Sequence, residues 1–516
     1  MERRKFIKKS ALASLTIPFV FKNYSYAAVT ENLFTIKRGV EDKVLVLIRL
    51  NGGNDGLNSV IPMDYYSNLV KQRTNIILPE NKLLQVTPKN AFHPSMSGMA
   101  KLFQLGKLSV IQNVGYPEQN RSHFRSTDIW TSGDLNPAVT SGWLGRKLDS
   151  EHPGFPEGYP NDIQKDPFAI SMGYEVSATC QGLLGNFSHT VNNPNDAVNV
   201  SLSSAANDGT YYGGHMEFLS TMIAQTNKYG SRVLEAAQKG KNLSTKYDPK
   251  NSLATQLKYV AQMITGGLQT SVYVVNIAGF DTHDSQVTST DTTLGNHANL
   301  LKTVSDAIEA FQDDISLLGI EKRVAGMTFS EFGRQIASNA SYGTDHGDAA
   351  PLFLFGSCLE TPIYGSNPVI SDQIQDQAGV PMQVDFRDVY ASILRDWFEV
   401  SPIEIQKMFT HEVKYHNIIG GCTLNLEEYS DDGLKTLMYP NPAIDVATLR
   451  ISTKNEFVKV SVCSMLGQEQ LVVFEATLNE DVHKLPLDLS EIKVGNYLLR
   501  VQKGSGEEAI SFVKVK

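Results

Sequence analysis

The chain has 516 residues, of which 41% are hydrophobic and 20% charged, and its formal net charge is −9 at pH 7. This is ordinary globular composition, and at about 100 to 200 residues per domain the length predicts two or three domains. The negative charge offers no basic surface for a phosphate backbone, so nucleic acid is not an expected partner. The four cysteines form no CxxC motif, which leaves nitrogen and oxygen as the ligands for any metal ion.

The sequence predicts an export signal over residues 1–27. A basic stretch at residues 2–9 precedes a short apolar stretch at residues 11–21, and small residues follow at the spacing of a cleavage site. The apolar stretch is too short to span a bilayer, and no later apolar run is long enough for a membrane helix. The paired Arg3 and Arg4 followed by Lys-Phe-Ile resemble a twin-arginine export signal, with an ordinary secretory signal as the alternative.

Residues 28–420 alternate apolar runs with helical patterns. This predicts an α/β domain built on a mostly parallel sheet with helices on both faces. Residues 154–207 are rich in Gly, Pro, Asn and Ser, which predicts an excursion or lid over one sheet edge. In sheets of this kind, ligands bind at the carboxyl ends of the strands. The predicted strands are residues 43–50, 108–114, 271–277, 323–329 and 352–355, and the predicted helices are residues 95–105, 217–238, 253–265, 297–318 and 387–398.

The loop after the first strand, residues 51–58 (NGGNDGLN), combines glycines with Asp55. The glycines permit tight turns and close backbone approach. The Asp55 carboxylate would suit a hard or borderline metal ion. Glycine-rich turns with Asp also serve as plain connections, so this motif alone favours a structural role.

The loop after the second strand, residues 120–128 (NRSHFRSTD), carries a hydroxyl at Ser122, an imidazole at His123 and guanidinium groups at Arg121 and Arg125. Arginine binds phosphate or sulfate oxygens bidentately, and a base or a metal ion can activate a hydroxyl. The segment therefore suits anion binding and nucleophilic displacement. A capped helix start with solvated arginines is the alternative.

The loop after the third strand, residues 279–284 (GFDTHD), contains Asp281 and His283. Residues two apart on an extended segment point the same way, so these two side chains can meet one metal ion. His297 opens the next helix and could return to the same place. An ordinary turn is the alternative for the Asp-x-His motif.

The fourth strand leads to Glu331 and Arg334, and about ten residues later comes the glycine-flanked pair Asp345 and His346. A loop of this kind has little packing value. The pair could contact one ion, or one each of two close ions, and Glu331 could be a further ligand or orient one. This loop, the loop of Asp281 and His283 and the loop of Asp55 are expected at the same sheet edge. Three such loops are not expected to meet there by chance.

The order of these motifs resembles the exported bacterial family of domain of unknown function 1501, over about residues 40–400. Its core is similar to that of the alkaline phosphatase and sulfatase superfamily. The resemblance implies a metal-ligand aspartate after the first strand, a Ser, Thr or modified Cys nucleophile, and later Asp and His ligands. The motifs are residues 49–58, 121–130, 142–146, 280–283, 328–334, 344–351 and 385–387, and the matching positions are Asp55, Ser122, Asp281, His283, Asp345 and His346.

The chain departs from the superfamily pattern in three ways. Asp281 and His283 are closer in sequence than the first Asp and His ligands of the superfamily. The histidine usually found after the Asp-His pair is missing from the promising loops, and His297 could substitute for it. The Cys-x-Pro-x-Arg signature is absent, which argues against a formylglycine sulfatase. By its place in the chain, Ser122 matches the nucleophile that the resemblance implies, with Thr127 as the alternative.

The polar residues 421–436 predict a linker, and residues 437–516 consist of short runs that alternate apolar and polar side chains. Alternation of period two predicts a small all-β sandwich. The motifs YPNP, LG, GNY and VKVK resemble the type A sorting domain of the type IX secretion system, which implies that machinery as a partner. A generic carbohydrate-binding or adhesive module is the alternative. The resemblance places the mature protein at the outer cell surface or outside the cell, after transit through the periplasm. The motifs occupy residues 439–442, 466–467, 495–497 and 513–516.

Together these features predict a secreted, metal-dependent hydrolase of phosphate or sulfate esters. One or two divalent ions (Zn, Mn or Ca) would polarise the ester and activate Ser122 or a bound water. Arg121, Arg125 or Arg334 would stabilise charge on the equatorial oxygens. The alternatives are a non-catalytic cell-surface binding or assembly protein on a hydrolase-like fold, and a purely structural metal site. The expected metal ligands are Asp55, Asp281, His283, His297, Asp345 and His346.

Overall fold

The computed structural model describes residues 43–196, 211–420, 437–439, 443–464, 468–479, 481–504 and 506–515. The predicted export signal, the linker and the LG motif lie outside these residues, as do part of the predicted lid and parts of the YPNP and VKVK motifs. The chain divides into two compact units, Met1–Thr423 and Leu424–Lys516. No described helix has the length and apolar character needed to cross a membrane.

The larger unit contains twelve described strands. They are β1 (Val44–Asn51), β2 (Val60–Pro62), β3 (Leu84–Thr87), β4 (Asn90–Phe92), β5 (Leu108–Gly115), β6 (Ala169–Met172), β7 (Ser188–Val191), β8 (Val272–Ala278), β9 (Val324–Phe329), β10 (Ala350–Gly356), β11 (Ile363–Tyr364) and β12 (Val384–Asp385).

Ten α-helices are described in the same unit, together with four short 3-10 helices. The α-helices are α1 (Gly56–Ser59), α2 (Tyr66–Gln72), α3 (Ser97–Gln104), α4 (His123–Ser132), α5 (Trp143–Glu151), α6 (Tyr211–Lys239), α7 (Ser252–Thr265), α8 (Asn296–Leu317), α9 (Phe386–Asp396) and α10 (Pro402–Met408). The 3-10 helices are Met63–Tyr65, Glu80–Lys82, Ala178–Cys180 and Glu321–Arg323.

Nine of these strands form the central sheet, in the order β11-β5-β10-β9-β1-β8-β6-β7 with β12 beside β5. Among the described strands, β10 is antiparallel to both of its neighbours, and the other pairings in this sheet are parallel. The carboxyl ends of β1, β5, β8 and β9 and the amino end of β10 therefore share one edge. The predicted mostly parallel α/β fold is confirmed.

Strand β1 shows how the sheet is covered on both faces. Val46 and Ile48 pack into one core cluster with side chains of α7 and α8, while Leu45 and Leu47 pack into the opposite cluster with side chains of α5 and α9. Alternate side chains of a strand point to opposite faces, so a strand that is apolar at every position must be covered twice. Burying each such side chain contributes roughly 1.5–3 kcal/mol.

The segment predicted as a lid has a different role where the structure describes it. Strands β6 and β7 come from this segment and extend the central sheet beyond β8. The residues of β6 and β7 therefore add two strands to the sheet rather than cover its edge.

The smaller unit is all-β over its described residues, and all its strand pairings are antiparallel. Two sheets, β13-β14-β17 and β16-β15-β18-β19, contribute side chains to one core, including Leu449 and Val460. A common core between two sheets is the arrangement of a sandwich. The strands are β13 (Leu437–Tyr439), β14 (Val446–Thr453), β15 (Glu456–Ser464), β16 (Glu469–Leu478), β17 (Asp481–Asp488), β18 (Gly495–Lys503) and β19 (Gly506–Lys514).

Candidate metal centre

Polar loops meet at the carboxyl edge of the central sheet, as the sequence predicts. Their close approach depends on Gly52, which follows β1 with a φ of +127°. A Cβ atom at this position would lie 2.3 Å from the backbone nitrogen of Asp281. Only glycine fits such a contact at such a φ, so Gly52 allows the β8 loop to approach the end of β1.

Three side chains from different loops form a cluster suited to a metal ion. One ligand atom each from His123, Asp281 and His346 lies within 4.8 Å of the other two. Oδ2 of Asp281 is 3.4 Å from Nε2 of His123, and Oδ1 is 3.2 Å from Nε2 of His346. His283 adjoins this group, because its Nε2 lies 3.2 Å from Oδ1 of Asp281 and 2.8 Å from Nε2 of His346.

The second nitrogen of each imidazole already bonds to an oxygen. The Nδ1 atom of His123 lies 2.9 Å from Oε1 of Glu331, and Nδ1 of His283 lies 2.9 Å from Oδ1 of Asp345.

In His346, Nδ1 lies 2.8 Å from the carbonyl oxygen of Arg121. A carbonyl oxygen can only accept, so this nitrogen donates, and a neutral His346 ring presents a lone pair at Nε2. Outer acceptors of this kind orient metal-binding histidines in proteins.

Glu331 follows β9, and its side chain is only 1% exposed. Its Oε1 accepts hydrogen bonds from the backbone N–H of Gly52, at 2.9 Å, and from His123. Its Oε2 is buried and has no hydrogen-bond partner among the described residues. The sequence left open whether Glu331 is a ligand or orients one, and its contact with Nδ1 of His123 favours orientation.

Arg334 is buried and holds the loops together. Its guanidinium donates to the carbonyl oxygens of Gly52, Gly53, Phe280 and Thr344, and to Oδ1 of Asp281 at 2.7 Å. Partial burial raises the pKa of Asp281, but the hydrogen bond and positive charge of Arg334, with contributions from His346 and His283, outweigh it and lower that pKa to about 2. Asp281 is therefore ionised, and the charge of Arg334 serves this carboxylate rather than substrate oxygens, contrary to our expectation.

Asp55, which the sequence placed in the expected ligand set, lies outside the cluster. Its buried carboxylate accepts from Arg73 and Gln286, each at 2.6 Å, and from the backbone N–H of Leu57 at 3.2 Å. Arg73 already neutralises the negative charge of the Asp55 carboxylate, which a metal ion would otherwise do. Asp55 instead caps α1 and anchors Gln286.

Gln286 connects this anchor to the cluster loops. Its Oε1 accepts from the hydroxyls of Thr282, at 3.1 Å, and Thr344, at 2.7 Å. Thr282 lies between Asp281 and His283 in the chain, and Thr344 precedes Asp345. Gln286 therefore holds the two ligand loops side by side.

His297 also lies outside the cluster. Its Nε2 bonds to Oδ1 of Asn54 at 2.9 Å, and its ring packs against Phe280 and His93. Burial lowers the pKa of His297 to about 4, against the opposing effect of Asp55, so this ring is neutral at pH 7. Its role is in the core, so it is not the substitute ligand that the sequence suggested.

His123 lies in the cluster, although our ligand prediction did not include it. It opens α4, in the loop after β5, which converges on the same sheet edge. This position could have identified His123 from the sequence, because its loop, like the others, follows a strand that ends at this edge. Asp345, which we expected as a ligand, accepts from His283 and from Asn339 at 3.0 Å and so orients His283.

The remaining predicted catalytic residues surround this centre. Arg121 makes two 2.9 Å contacts with the Asp348 carboxylate, and Arg125 donates to the Leu135 carbonyl oxygen. Both guanidinium groups are therefore held by the chain. Ser122 is exposed at the N-cap of α4, and its hydroxyl makes no capping bond. The alternative nucleophile, Thr127, accepts a 2.8 Å hydrogen bond from Arg49.

A family model described as "Protein of unknown function (DUF1501)" matches residues 42–401. The chain belongs to this family. A second model, the secretion system C-terminal sorting domain, matches residues 437–515. This DUF1501 protein therefore carries a type IX sorting domain, which supports export to the cell surface or the extracellular space.

Solved structures similar to this DUF1501 chain include members of the alkaline phosphatase superfamily. A protein of that superfamily from Vibrio parahaemolyticus is 10% identical with a TM-score of 0.29, covering 87% of this chain and 82% of its own. A sulfatase from Pseudoalteromonas sp. is 9% identical with a TM-score of 0.33, covering 88% and 86%. A lipoteichoic acid synthase from Listeria monocytogenes is 9% identical with a TM-score of 0.27, covering 70% and 73%. No curated protein matches the chain.

Proposed function

We propose that this protein is a secreted, metal-dependent hydrolase of phosphate or sulfate esters, with a divalent ion held by His123, Asp281 and His346 and with His283 beside it. The observation that carries the proposal is the convergence of imidazole Nε2 atoms on an ionised carboxylate, each ring being fixed through Nδ1 by a separate oxygen. Such an arrangement has little value for packing and suits a metal ion.

The donor set fits a divalent ion. Imidazole nitrogen and carboxylate oxygen are ligands of Zn²⁺ at about 2.0–2.2 Å, and two ligands of a tetrahedral site at that distance lie about 3.4 Å apart. The atoms in question are 2.8 to 3.4 Å from one another in the contacts given above. Small adjustments of side chains would therefore suffice for binding.

Exposure favours a catalytic site over a structural one. The side chains of Asp281 and His283 are 47% and 43% exposed, and that of His123 is 33% exposed. Structural metal sites are closed by protein ligands, whereas catalytic sites keep a position open for water or substrate. An ester can therefore reach these residues from solvent.

The chain contributes positioning and charge to the reaction. A divalent ion bound here would polarise an ester oxygen and lower the pKa of a water molecule. Arg334 keeps Asp281 ionised, and Glu331 keeps Nε2 of His123 facing the site. The hydroxyl of Ser122, next to His123, is the proposed nucleophile, with water as the alternative. Export by the twin-arginine route, before the sorting domain acts, is part of this proposal.

The test combines metal analysis with an ester screen on the full chain. We expect near-stoichiometric Zn, Mn or Ca, and chelator-sensitive turnover of 4-nitrophenyl phosphate, bis(4-nitrophenyl) phosphate or 4-nitrophenyl sulfate. The variants D281N and H346A should lose both metal and turnover. D284N is the matched control, because Asp284 is an exposed carboxylate in the same loop.

Two outcomes would contradict the proposal. Unchanged metal content in D281N and H346A would show that the ion is held elsewhere. Stoichiometric metal without turnover of any ester would favour the structural or non-catalytic alternative.

A further inference from the structure

A cavity of about 550 Å³ lies beside the metal centre, and its lining includes Arg121 and Asp348. One lining residue contacts the cluster, because the carbonyl oxygen of Arg121 bonds to Nδ1 of His346 at 2.8 Å. Ligand pockets typically measure about 300 to 1,000 Å³. The cavity is thus large enough to hold the leaving group of an ester whose phosphate or sulfate is bound at the metal centre.

Most polar side chains of this lining already have partners within the protein. All three nitrogen groups of the Arg121 guanidinium are used, two by Asp348 and the third by the carbonyl oxygen of Gln377 at 3.0 Å. The charges of Arg121 and Asp348 therefore compensate each other. An anionic group in the cavity would find no free arginine.

The side chain of Gln119 is fixed as well. Its Oε1 accepts from the backbone N–H of Tyr116 at 3.3 Å, and its Nε2 donates to the Ser126 hydroxyl and to the Glu331 carbonyl oxygen, each at 3.1 Å. Because these bonds hold its amide group, Gln119 lines the cavity without being free to reorient toward a ligand.

Glu118 is the exception. It is exposed, it lines the cavity, and it has no ion-pair partner among the residues that the structure describes. Its φ of 54° lies in the left-handed region, which is uncommon for residues other than glycine. A strained backbone conformation of this kind is kept where the surroundings require it, often at a ligand site.

We propose that this cavity takes the leaving group of the ester, and that Glu118 makes it select leaving groups that carry an ammonium group over those that carry a carboxylate. The inference rests on the proposed function, since the metal centre would hold the phosphate or sulfate end. With Arg121 neutralised, Glu118 leaves the lining with one uncompensated negative charge. Opposite charges attract and like charges repel at this position, so the preferred substrate is the ester of an amino alcohol.

Binding of phosphonates to the zinc-loaded full chain tests this without requiring turnover. We expect calorimetry to give a Kd for 2-aminoethylphosphonate about two- to fivefold lower than for 2-hydroxyethylphosphonate, as for one exposed ion pair, and the highest Kd for phosphonoacetate. E118Q should make the first two equal. E157Q is the matched control, because Glu157 is exposed in the loop after α5, and it should keep the preference of the unaltered chain.

The outcomes separate the two proposals. Metal-dependent binding of all three phosphonates with equal Kd would overturn the role of Glu118 and leave the metal centre intact. A preference that persists in E118Q would overturn it too. Failure of every phosphonate to bind while zinc is bound would overturn the proposed function, and the leaving-group pocket with it.

Discussion

The Nε2 atoms of His283 and His346 lie 2.8 Å apart, although Nδ1 of each ring already bonds to an oxygen. If both rings are neutral and donate from Nδ1, two lone pairs face each other at this distance and repel. A shared proton or a metal ion between the rings removes the repulsion. The contact therefore links protonation of this pair to metal binding.

Metal binding should release a measurable number of protons, because the ion and a proton compete for the facing Nε2 atoms of the two rings. Calorimetric titration of Zn²⁺ into the full chain, in buffers of different ionisation enthalpy, measures this number. H283A should reduce the release, whereas H483A, a change in the smaller unit, should not. Binding heats that do not depend on the buffer would contradict this competition.

E331Q should weaken zinc binding by about 10- to 100-fold, the usual effect of losing an outer partner of a metal-binding histidine. The amide no longer offers the charged acceptor that keeps Nδ1 of His123 protonated. Competition with a chromogenic chelator measures the affinity, and E157Q is the matched control. A lower melting temperature of the metal-free protein with unchanged zinc affinity would instead indicate a structural role for Glu331.

D55N should lower the free energy of unfolding by about 3–5 kcal/mol, because it leaves the buried Arg73 guanidinium without its counter-charge. D281N should have a smaller effect on the metal-free protein, since Asp281 is about half exposed and four backbone carbonyl oxygens still accept hydrogen bonds from Arg334. Urea unfolding of both variants in the presence of a chelator makes the comparison. If D55N lost metal while keeping its stability, Asp55 would be the ligand that the family resemblance implied.

The stability of the larger unit should fall between about pH 6.5 and pH 4. Burial lowers the pKa of His297 to about 4 and that of His93 to about 3, against an ordinary value of 6.5. In this pH range the two histidines bind protons in the unfolded chain but stay neutral in the folded protein, so acidification favours unfolding. For His297 alone, the loss at pH 5 is about 2 kcal/mol.

Urea unfolding at pH 7 and pH 5 checks this expectation. H297Q should reduce the difference between the two pH values, since glutamine does not titrate in this range, while H483Q should leave it unchanged. A difference that is the same in H297Q and in the unaltered chain would show that other groups cause the acid sensitivity.

The sequence alone determined the fold class and the location of the site. Strands such as residues 43–50 and helices such as residues 297–318 follow from local apolar periodicity, which depends on neighbours two to four positions apart. Parallel strands place their carboxyl ends at one edge, so the loops containing Asp281, His283 and His346 could be expected together. Those expectations needed no knowledge of which side chains touch.

Only the tertiary structure decided which side chains meet. Asp55 bonds to Gln286 across 231 positions, and His123 bonds to Glu331 across 208. No local pattern reveals that a buried arginine takes the carboxylate of Asp55, or that the first residue of α4 faces the β8 loop. The reason is physical: a carboxylate or an imidazole takes its role from the charges and hydrogen-bond partners that folding brings within about 3 Å, and these lie far away in the chain.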